Sequence, residues 1–369
     1  MDIQPYNINV KQSVLDDLRV RLTAVRWPDQ PEGAGWSLGT NLEITQALVE
    51  YWRDEYDWRK VETSLNSFQH FLATGSGEPL HFIHEKCGDG TATPLLLVHG
   101  WPDSFFRYHK VIKPLAERFN VVVVSLPGMG FSGHEALAVD DMADKLLALM
   151  HTLGYERFIV AGGDIGSIIS MSLAQSHSDA VLGYHVTDVG YPDHTTDFAV
   201  LSQSEQEYAG AIQQWFMRHG AFNILQSSKP QSLAFAMTDS PVGFAAWVLS
   251  FMGGMGLGDD VLRRFGKEDL ITNIMIYWVS DTIASSFRSY AANAMQPATL
   301  KGDARVPVAV ATEVPIPGGV RVPREWADRQ TGGNVVQFHD MPHAGHFAAW
   351  EDPEYYVKDI ESFAKLIAS

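Results

Sequence analysis

Apolar positions change their spacing along the chain, and the changes divide it. Val14, Leu15, Leu18 and Leu22 recur at three- and four-residue steps, which predicts a helix that Arg26-Trp27-Pro28-Asp29-Gln30-Pro31 ends. A second helix carries Leu48, Tyr51 and Trp52, and Tyr56-Asp57-Trp58-Arg59 begins a third. Their aromatic residues suit a small cap packed on a larger body. From Leu80 the pattern becomes strand-like: Leu80-His81-Phe82-Ile83-His84, then Pro94 to Gly100, Phe119 to Pro127 and Arg157 to Ala161. Predicted helices over Arg107–Arg118 and Met142–Leu153 alternate with them. Continuous β-branched and leucine-rich strands between helices predict a mostly parallel sheet covered on both faces.

The stretch from about Thr195 to Leu300 is helical and rich in Met, Phe and Trp, which predicts a lid inserted into this α/β core. Its run from Phe251 to Gly258 reads as a flexible corner. Strands at Val306–Ala311 and Val335–Phe338 and a helix at Tyr355–Ile367 return to the core. The predicted organisation is 1–78 N-terminal helical cap and meander, 79–194 first part of the α/β core, 195–300 helical lid, and 301–369 second part of the core.

Composition narrows the classes of function. The 369 residues are 46% hydrophobic and 19% charged, with 27 basic against 44 acidic side chains and a net charge of −17. Nucleic-acid binding needs a concentrated basic face, so nucleic acid is an unsuitable partner. The single Cys87 excludes an intramolecular disulfide and multi-cysteine metal clusters, which fits a reducing compartment. The start Met1-Asp2-Ile3-Gln4-Pro5 shows no signal-peptide pattern, and no apolar run approaches the roughly 18 to 20 residues of a membrane span. The expectation is a cytoplasmic protein without a membrane anchor. Its histidines, His343 beside His346 included, show no metal-ligand spacing, so neither metal nor cofactor is expected. A homo-oligomer is compatible with the sequence.

The sharpest local pattern is Ile159-Val160-Ala161-Gly162-Gly163-Asp164-Ile165-Gly166-Ser167, an apolar strand running through small residues into a helix. It has the form of a nucleophile elbow with Asp164 at its centre. Alone, such an aspartate would serve equally as a helix N-cap. An ionised carboxylate in the elbow attacks a saturated carbon and forms an ester, so the electrophile should be an epoxide carbon or one bearing a halide. His99-Gly100-Trp101-Pro102 closes an earlier strand where an oxyanion hole belongs, with the Trp101 and Ile165 amides as its donors. Ala344-Gly345-His346-Phe347 places a histidine last in chain order, as the base that activates water against the ester.

With these motifs in order, the sequence resembles the microsomal-type epoxide hydrolases of the α/β-hydrolase superfamily over nearly its whole length. The likeness rests on Arg26-Trp27-Pro28 and Tyr56-Asp57-Trp58-Arg59 in the cap, and on His99-Gly100-Trp101-Pro102, Gly130-Phe131-Ser132-Gly133 and Gly162-Gly163-Asp164 in the core. Thr238-Asp239-Ser240-Pro241 and Phe287-Arg288-Ser289-Tyr290 extend it into the lid. The resemblance implies an α/β-hydrolase fold and a cofactor-independent reaction in which a hydrophobic epoxide and water become a vicinal diol. It also implies two lid tyrosines that hydrogen-bond the epoxide oxygen. Tyr290 matches one, but the other position corresponds to Phe222, which has no hydroxyl; Tyr208, Tyr184 and Tyr191 are candidate substitutes. The acid orienting His346 is also displaced: Glu313 stands about three residues early, and Asp188, after the strand that follows the nucleophile, is the alternative. Ile165 replaces the family's usual tryptophan beside the nucleophile, which implies a bulkier or differently shaped substrate. Trp101, Phe222, Ile165 and Phe347 are the expected substrate-binding residues.

Three other readings share this scaffold. A haloalkane dehalogenase-like hydrolase would use the same Asp and His with Trp101 as a halide donor. An epoxide-opening tailoring enzyme of specialised metabolism, acting on a polycyclic substrate, would account for Phe222 and Ile165. A non-catalytic ligand-binding relative would retain the pocket alone.

Overall fold

The computed structural model describes residues 1–368 apart from 89–90, 194, 255–256, 299, 301–304 and 314–318. Met255 and Gly256 of the predicted corner, and the turn that follows Glu313, therefore lie outside the described residues. Among the described residues, nine strands form one sheet: β1 Asp2–Tyr6, β2 His70–Thr74, β3 Leu80–Glu85, β4 Pro94–Val98, β5 Asn120–Val124, β6 Phe158–Gly162, β7 Val181–Val186, β8 Val308–Thr312 and β9 Val335–Asp340. Their order is β1-β2-β3-β5-β4-β6-β7-β8-β9. The first three pair antiparallel, β3 joins β5 antiparallel, and every later pairing is parallel. All five residues of β5, β6 and β8 are buried. Helices cover both faces of such strands, which is why their sequences are continuously apolar rather than alternating.

The chain winds outward from β4 in both directions, to β5 on one side and β6 on the other. In open α/β sheets the crevice at the carboxyl ends of two such strands is where ligands bind. Here the loop after β4 begins at His99, and the turn after β6 carries Asp164.

Two expectations need correction. The segment 1–78 is not only helical: helices Gln12–Thr23, Leu42–Asp54 and Trp58–Leu65 form, but β1 and β2 belong to the main sheet. Pro5 lies in β1, where an edge position leaves its missing N–H without consequence. The helix expected over Arg107–Arg118 is also interrupted, forming a 3₁₀ turn at Phe105–Tyr108 and a short helix at Ile112–Ala116. Tertiary bonds override the helical pattern there, because Tyr108 donates to the Val98 carbonyl at 2.8 Å and Arg107 is drawn into the core.

The lid contains helices Gln203–His219, Ala221–Ser228, Pro230–Asp239, Pro241–Met252, Lys267–Val279 and Ile283–Met295. Local signals set several of its boundaries. Ser202 and Glu205 form a reciprocal capping box, and two of the helices begin at proline. The N-terminal segment braces this lid: Thr40 donates to the Ala246 carbonyl at 2.6 Å, Trp36 Nε1 donates to Asp259 at 2.8 Å, and the Tyr56 hydroxyl meets Thr272 at 3.1 Å. Among the described residues, no single helix is long and apolar enough to cross a membrane.

Candidate active site

The turn from β6 into the helix Ile165–Ser176 holds Asp164 at φ 57°, ψ −135°. A non-glycine residue in that region is strained by about 1–3 kcal/mol and persists only where its surroundings impose it. Those surroundings explain the small residues. A side chain on Gly162 would place its Cβ 2.2 Å from the Gly166 carbonyl oxygen, and one on Gly166 would lie 2.1 Å from the Val98 oxygen. Asp164 occupies the N-cap position, yet its side chain makes no capping hydrogen bond.

Instead the carboxylate faces the loop after β4. Oδ1 accepts from the Trp101 amide at 3.1 Å, and the Ile165 amide also donates to the carboxylate. This approach requires glycine at position 100, where a Cβ would lie 2.3 Å from Asp164 Oδ1. Oδ2 lies 3.2 Å from His346 Nε2, and His346 Nδ1 lies 3.2 Å from Glu313 Oε1. Asp164, His346 and Glu313 thus form one continuous line of contacts. Burial raises the Asp164 pKa, but His346 and the two amides outweigh it and hold the carboxyl below its ordinary value. Burial likewise lowers that of His346, and the Glu313 and Asp164 carboxylates reverse the shift, raising the imidazole well above its usual range.

Glu313 reaches His346 because it directly follows β8, and its longer side chain spans the displaced register. Asp188 is engaged elsewhere, accepting from the Gly190 amide at 2.9 Å and the Tyr191 hydroxyl at 2.5 Å. Burial, and then the Glu313 charge, push Asp188 up to about 6. Of the candidate substitute tyrosines, Tyr191 is thus bonded to Asp188, Tyr208 packs against Trp326, and Tyr184 lies buried in β7.

An aromatic group is built around Trp101, whose amide Asp164 meets. Phe222 stacks on Trp101 with centroids 6.0 Å apart, Tyr290 meets Trp101 edge-on at 5.8 Å, and Phe251 meets Phe222 edge-on at 4.9 Å. Ile165 is partly buried beside the elbow. Phe347, expected among the substrate-binding residues, is buried with its ring against Phe251, Phe265, Trp350 and the His346 imidazole. The Trp101 indole N–H points to Ser286 Oγ at 3.3 Å.

Sequence reasoning missed several residues that hold these loops. Asp103 accepts from the Gly100 amide at 2.8 Å and from Arg107 Nη1 at 2.6 Å, and Arg107 Nη2 donates to the His346 carbonyl. Both side chains are fully buried. The Gly163 position must stay bare, because a Cβ there would lie 2.2 Å from Arg107 Nη2. His99 is structural: Nε2 accepts from the Leu126 amide at 3.0 Å, so the ring proton sits on Nδ1, toward the Gly100 carbonyl. Lid residue Asn273 bonds the same loop through the Pro102 carbonyl and Ser104. A buried Asp and Arg four residues apart were the available signal. Among the described residues, no group of three or more His, Cys, Asp and Glu side chains is placed to hold a metal ion.

A nine-stranded α/β sheet with an aspartate at the tight turn after β6, backbone amides on its carboxylate and a C-terminal histidine beside it defines an α/β hydrolase, and that family's sequence model matches residues 93–353. The model for the epoxide hydrolase N terminus matches residues 3–108. The chain belongs to the epoxide hydrolases, enzymes that hydrolyse the ether bond of an epoxide. It is 36% identical to a provisionally named epoxide hydrolase of Stigmatella aurantiaca (strain DW4/3-1), covering 99% of this chain and 86% of that protein. It is 30% identical to epoxide hydrolase 1 of Oryctolagus cuniculus, covering 99% and 89%. The crystal structure of juvenile hormone epoxide hydrolase from the silkworm Bombyx mori superimposes with a TM-score of 0.84 at 25% identity, covering 100% of this chain and 94% of that one.

Proposed function

We propose that the protein opens a hydrophobic epoxide to a vicinal diol through an alkyl ester on Asp164. The observation that carries this reading is the division of labour within one carboxylate: the Trp101 amide holds Oδ1, while Oδ2 faces His346. Oδ2 attacks an epoxide carbon from the side opposite the oxygen, and the carbon–oxygen bond breaks as the new ester bond forms. The departing oxygen takes its proton from the Tyr290 hydroxyl. Esterification removes one of the two negative charges that keep His346 protonated, so the imidazole's pKa falls once the ester exists and its proton passes to the Tyr290 phenolate. Neutral His346, oriented by Glu313, then takes a proton from water as that water attacks the ester carbonyl carbon. The developing charge falls on Oδ1, where the Trp101 and Ile165 amides are already in place. Collapse expels the ester oxygen, which takes the proton of the newly formed Asp164 carboxyl as the diol leaves, so that Asp164 is again ionised beside protonated His346.

The Trp101 indole supports the epoxide over a carbon–halogen bond, because its N–H is directed at Ser286 rather than free for a halide. The rings of Trp101, Phe222 and Phe251 favour an apolar substrate. Intact-mass analysis of the His346→Gln protein after incubation with aryl, aliphatic and polycyclic epoxides and haloalkanes tests the reading. The expected result is an adduct of the whole epoxide on the Asp164 peptide. An adduct lacking its halide would replace the reading with dehalogenation, and ligand binding without any adduct or diol would favour a non-catalytic protein.

A further inference from the structure

One buried amide on the lid is unexplained by the reaction scheme. Gln226 is wholly buried on the helix Ala221–Ser228, one turn beyond Phe222 and so on the same helix face. Its oxygen is satisfied, accepting from Trp247 Nε1 at 2.9 Å. Its nitrogen Nε2 closes no well-formed hydrogen bond. Phe222, one turn earlier on that face, meets the Tyr290 ring edge-on with centroids 6.2 Å apart, so this face packs toward Tyr290 on the neighbouring helix Ile283–Met295, whose hydroxyl the Gln226 amide influences. A buried amide donor without a partner costs roughly 1–3 kcal/mol, which usually marks a site with work to do.

Resting on the epoxide reading, we propose that Gln226 is a positioning residue for Tyr290, the lid phenol that serves the epoxide oxygen: its Nε2–H turns to donate to the Tyr290 oxygen. The arrangement solves a specific difficulty. With phenylalanine at 222, the oxygen leaving the epoxide has one phenol to rely on, and negative charge passes to Tyr290 as the proton transfers. Burial, and next the Asp164 charge, raise the Tyr290 pKa well above its usual value, which opposes that transfer; the Gln226 contact acts in the other direction. An amide proton on the phenolic oxygen leaves the hydroxyl hydrogen directed at the epoxide and stabilises the phenolate as it forms. Trp247 fixes which way the amide points, since its indole N–H requires the Gln226 oxygen.

The test separates the two chemical steps. In rapid-quench measurements, Gln226→Met is expected to slow alkylation of Asp164 by about 10-fold or more, less than the roughly 10²-fold cost of deleting a direct oxyanion donor. Hydrolysis of the accumulated ester should proceed at the parent rate. Gln226→Glu, which keeps an acceptor for Trp247, guards against a folding artefact and should show the same selective loss above the carboxyl's titration. A lag confined to alkylation supports the role; equal slowing of both steps, or an unchanged alkylation rate, overturns it. A second measurement needs no substrate. With 3,5-difluorotyrosine installed at 290 and followed by fluorine NMR, Gln226→Met should move the phenol's titration to higher pH. An unmoved titration overturns the proposal even where the parent protein alkylates normally. A shifted titration in a protein that forms no ester would leave the contact standing and overturn the epoxide reading instead.

Discussion

The Arg107 guanidinium donates to the backbone carbonyl of His346 at 2.5 Å, joining residues 239 positions apart. Its other nitrogen holds Asp103, which in turn fixes the Gly100 amide at the base of the oxyanion loop. One buried ion pair therefore sets the distance between the nucleophile's amide donors and its histidine. Arg107→Met would strand Asp103 as an uncompensated buried charge, and losses of about 3–5 kcal/mol follow from breaking such a pair. Urea unfolding should show a loss of that order, and the double variant Arg107→Met/Asp103→Leu should recover part of it. Full recovery of activity by the double variant would show that the pair does not position His346.

Gly100→Ala should be nearly inactive while remaining folded. Its Cβ would stand 2.3 Å from Asp164 Oδ1 and 2.4 Å from Asp164 Cβ, so the carboxylate must move. Misplacing a reacting group by about 1 Å costs roughly 10² in rate. Rapid-quench rates of ester formation should fall by about that factor, with circular dichroism unchanged. Normal alkylation by this variant would mean that the close approach of loop and nucleophile is not required.

Glu313→Gln should change the pH profile of one step. Its carboxylate is the main influence raising His346 against the lowering effect of burial, and in the ester it is the remaining anion in contact with that ring. Water activation needs neutral imidazole, so ester hydrolysis rises with pH through the His346 pKa. Removing the Glu313 charge should move that rise to lower pH and reduce the plateau rate. Single-turnover hydrolysis measured across pH reads both, and an unchanged midpoint would transfer the orienting role away from Glu313.

Asp188 makes the opposite kind of pH statement. Burial, and then Glu313, raise its pKa to about 6 in the folded protein, against about 3.9 for a free aspartate. The folded state therefore takes up a proton here between about pH 4 and 6, and this group's contribution is lost as pH rises through about 6. Asp188→Asn removes that dependence. Relative to the parent, the variant should gain stability steadily from about pH 4 to 6 and hold the gain above it, read as the difference between two unfolding curves. A difference that shrinks with rising pH would contradict the raised value.

How much could be read from the chain depended on whether a feature was local. The elbow is legible because Gly162, Gly163 and Gly166 cluster around Asp164 within nine residues, although Arg107 and Val98, which crowd two of them, lie outside that run. The parallel strands are legible because burial on both faces makes their sequences continuously apolar. β1 is not, since an edge strand carrying Pro5 has little pattern and forms only when β2 is present to pair with it. Gln226 escaped for the same reason, since a buried Gln is recognisable only by the partner it meets and Trp247 lies on another helix; Arg107 has a local partner in Asp103, but its bond to the His346 carbonyl spans 239 positions. Glu313 was found through its place after a strand, but its reach to His346 is a distance that spacing cannot give.

Oxygen tracing separates ester formation from direct attack of water on the epoxide. Asp164 Oδ2 becomes the bridging oxygen of the ester, and Oδ1 remains as its carbonyl oxygen beneath the Trp101 amide. Water attacks the carbonyl carbon, so the alkyl–oxygen bond stays intact, and the diol leaves carrying the original Oδ2. In ¹⁸O-labelled water with enzyme in excess over epoxide, the first turnover should yield unlabelled diol and one heavy oxygen in the Asp164 peptide. Later turnovers, with substrate in excess, should pass that label into the product. If His346 instead activated water for direct attack, the first diol would be labelled and Asp164 would stay light. The first outcome is expected, because the Trp101 amide holds Oδ1 and leaves Oδ2 as the attacking oxygen, and water then follows where the carboxylate has already reacted.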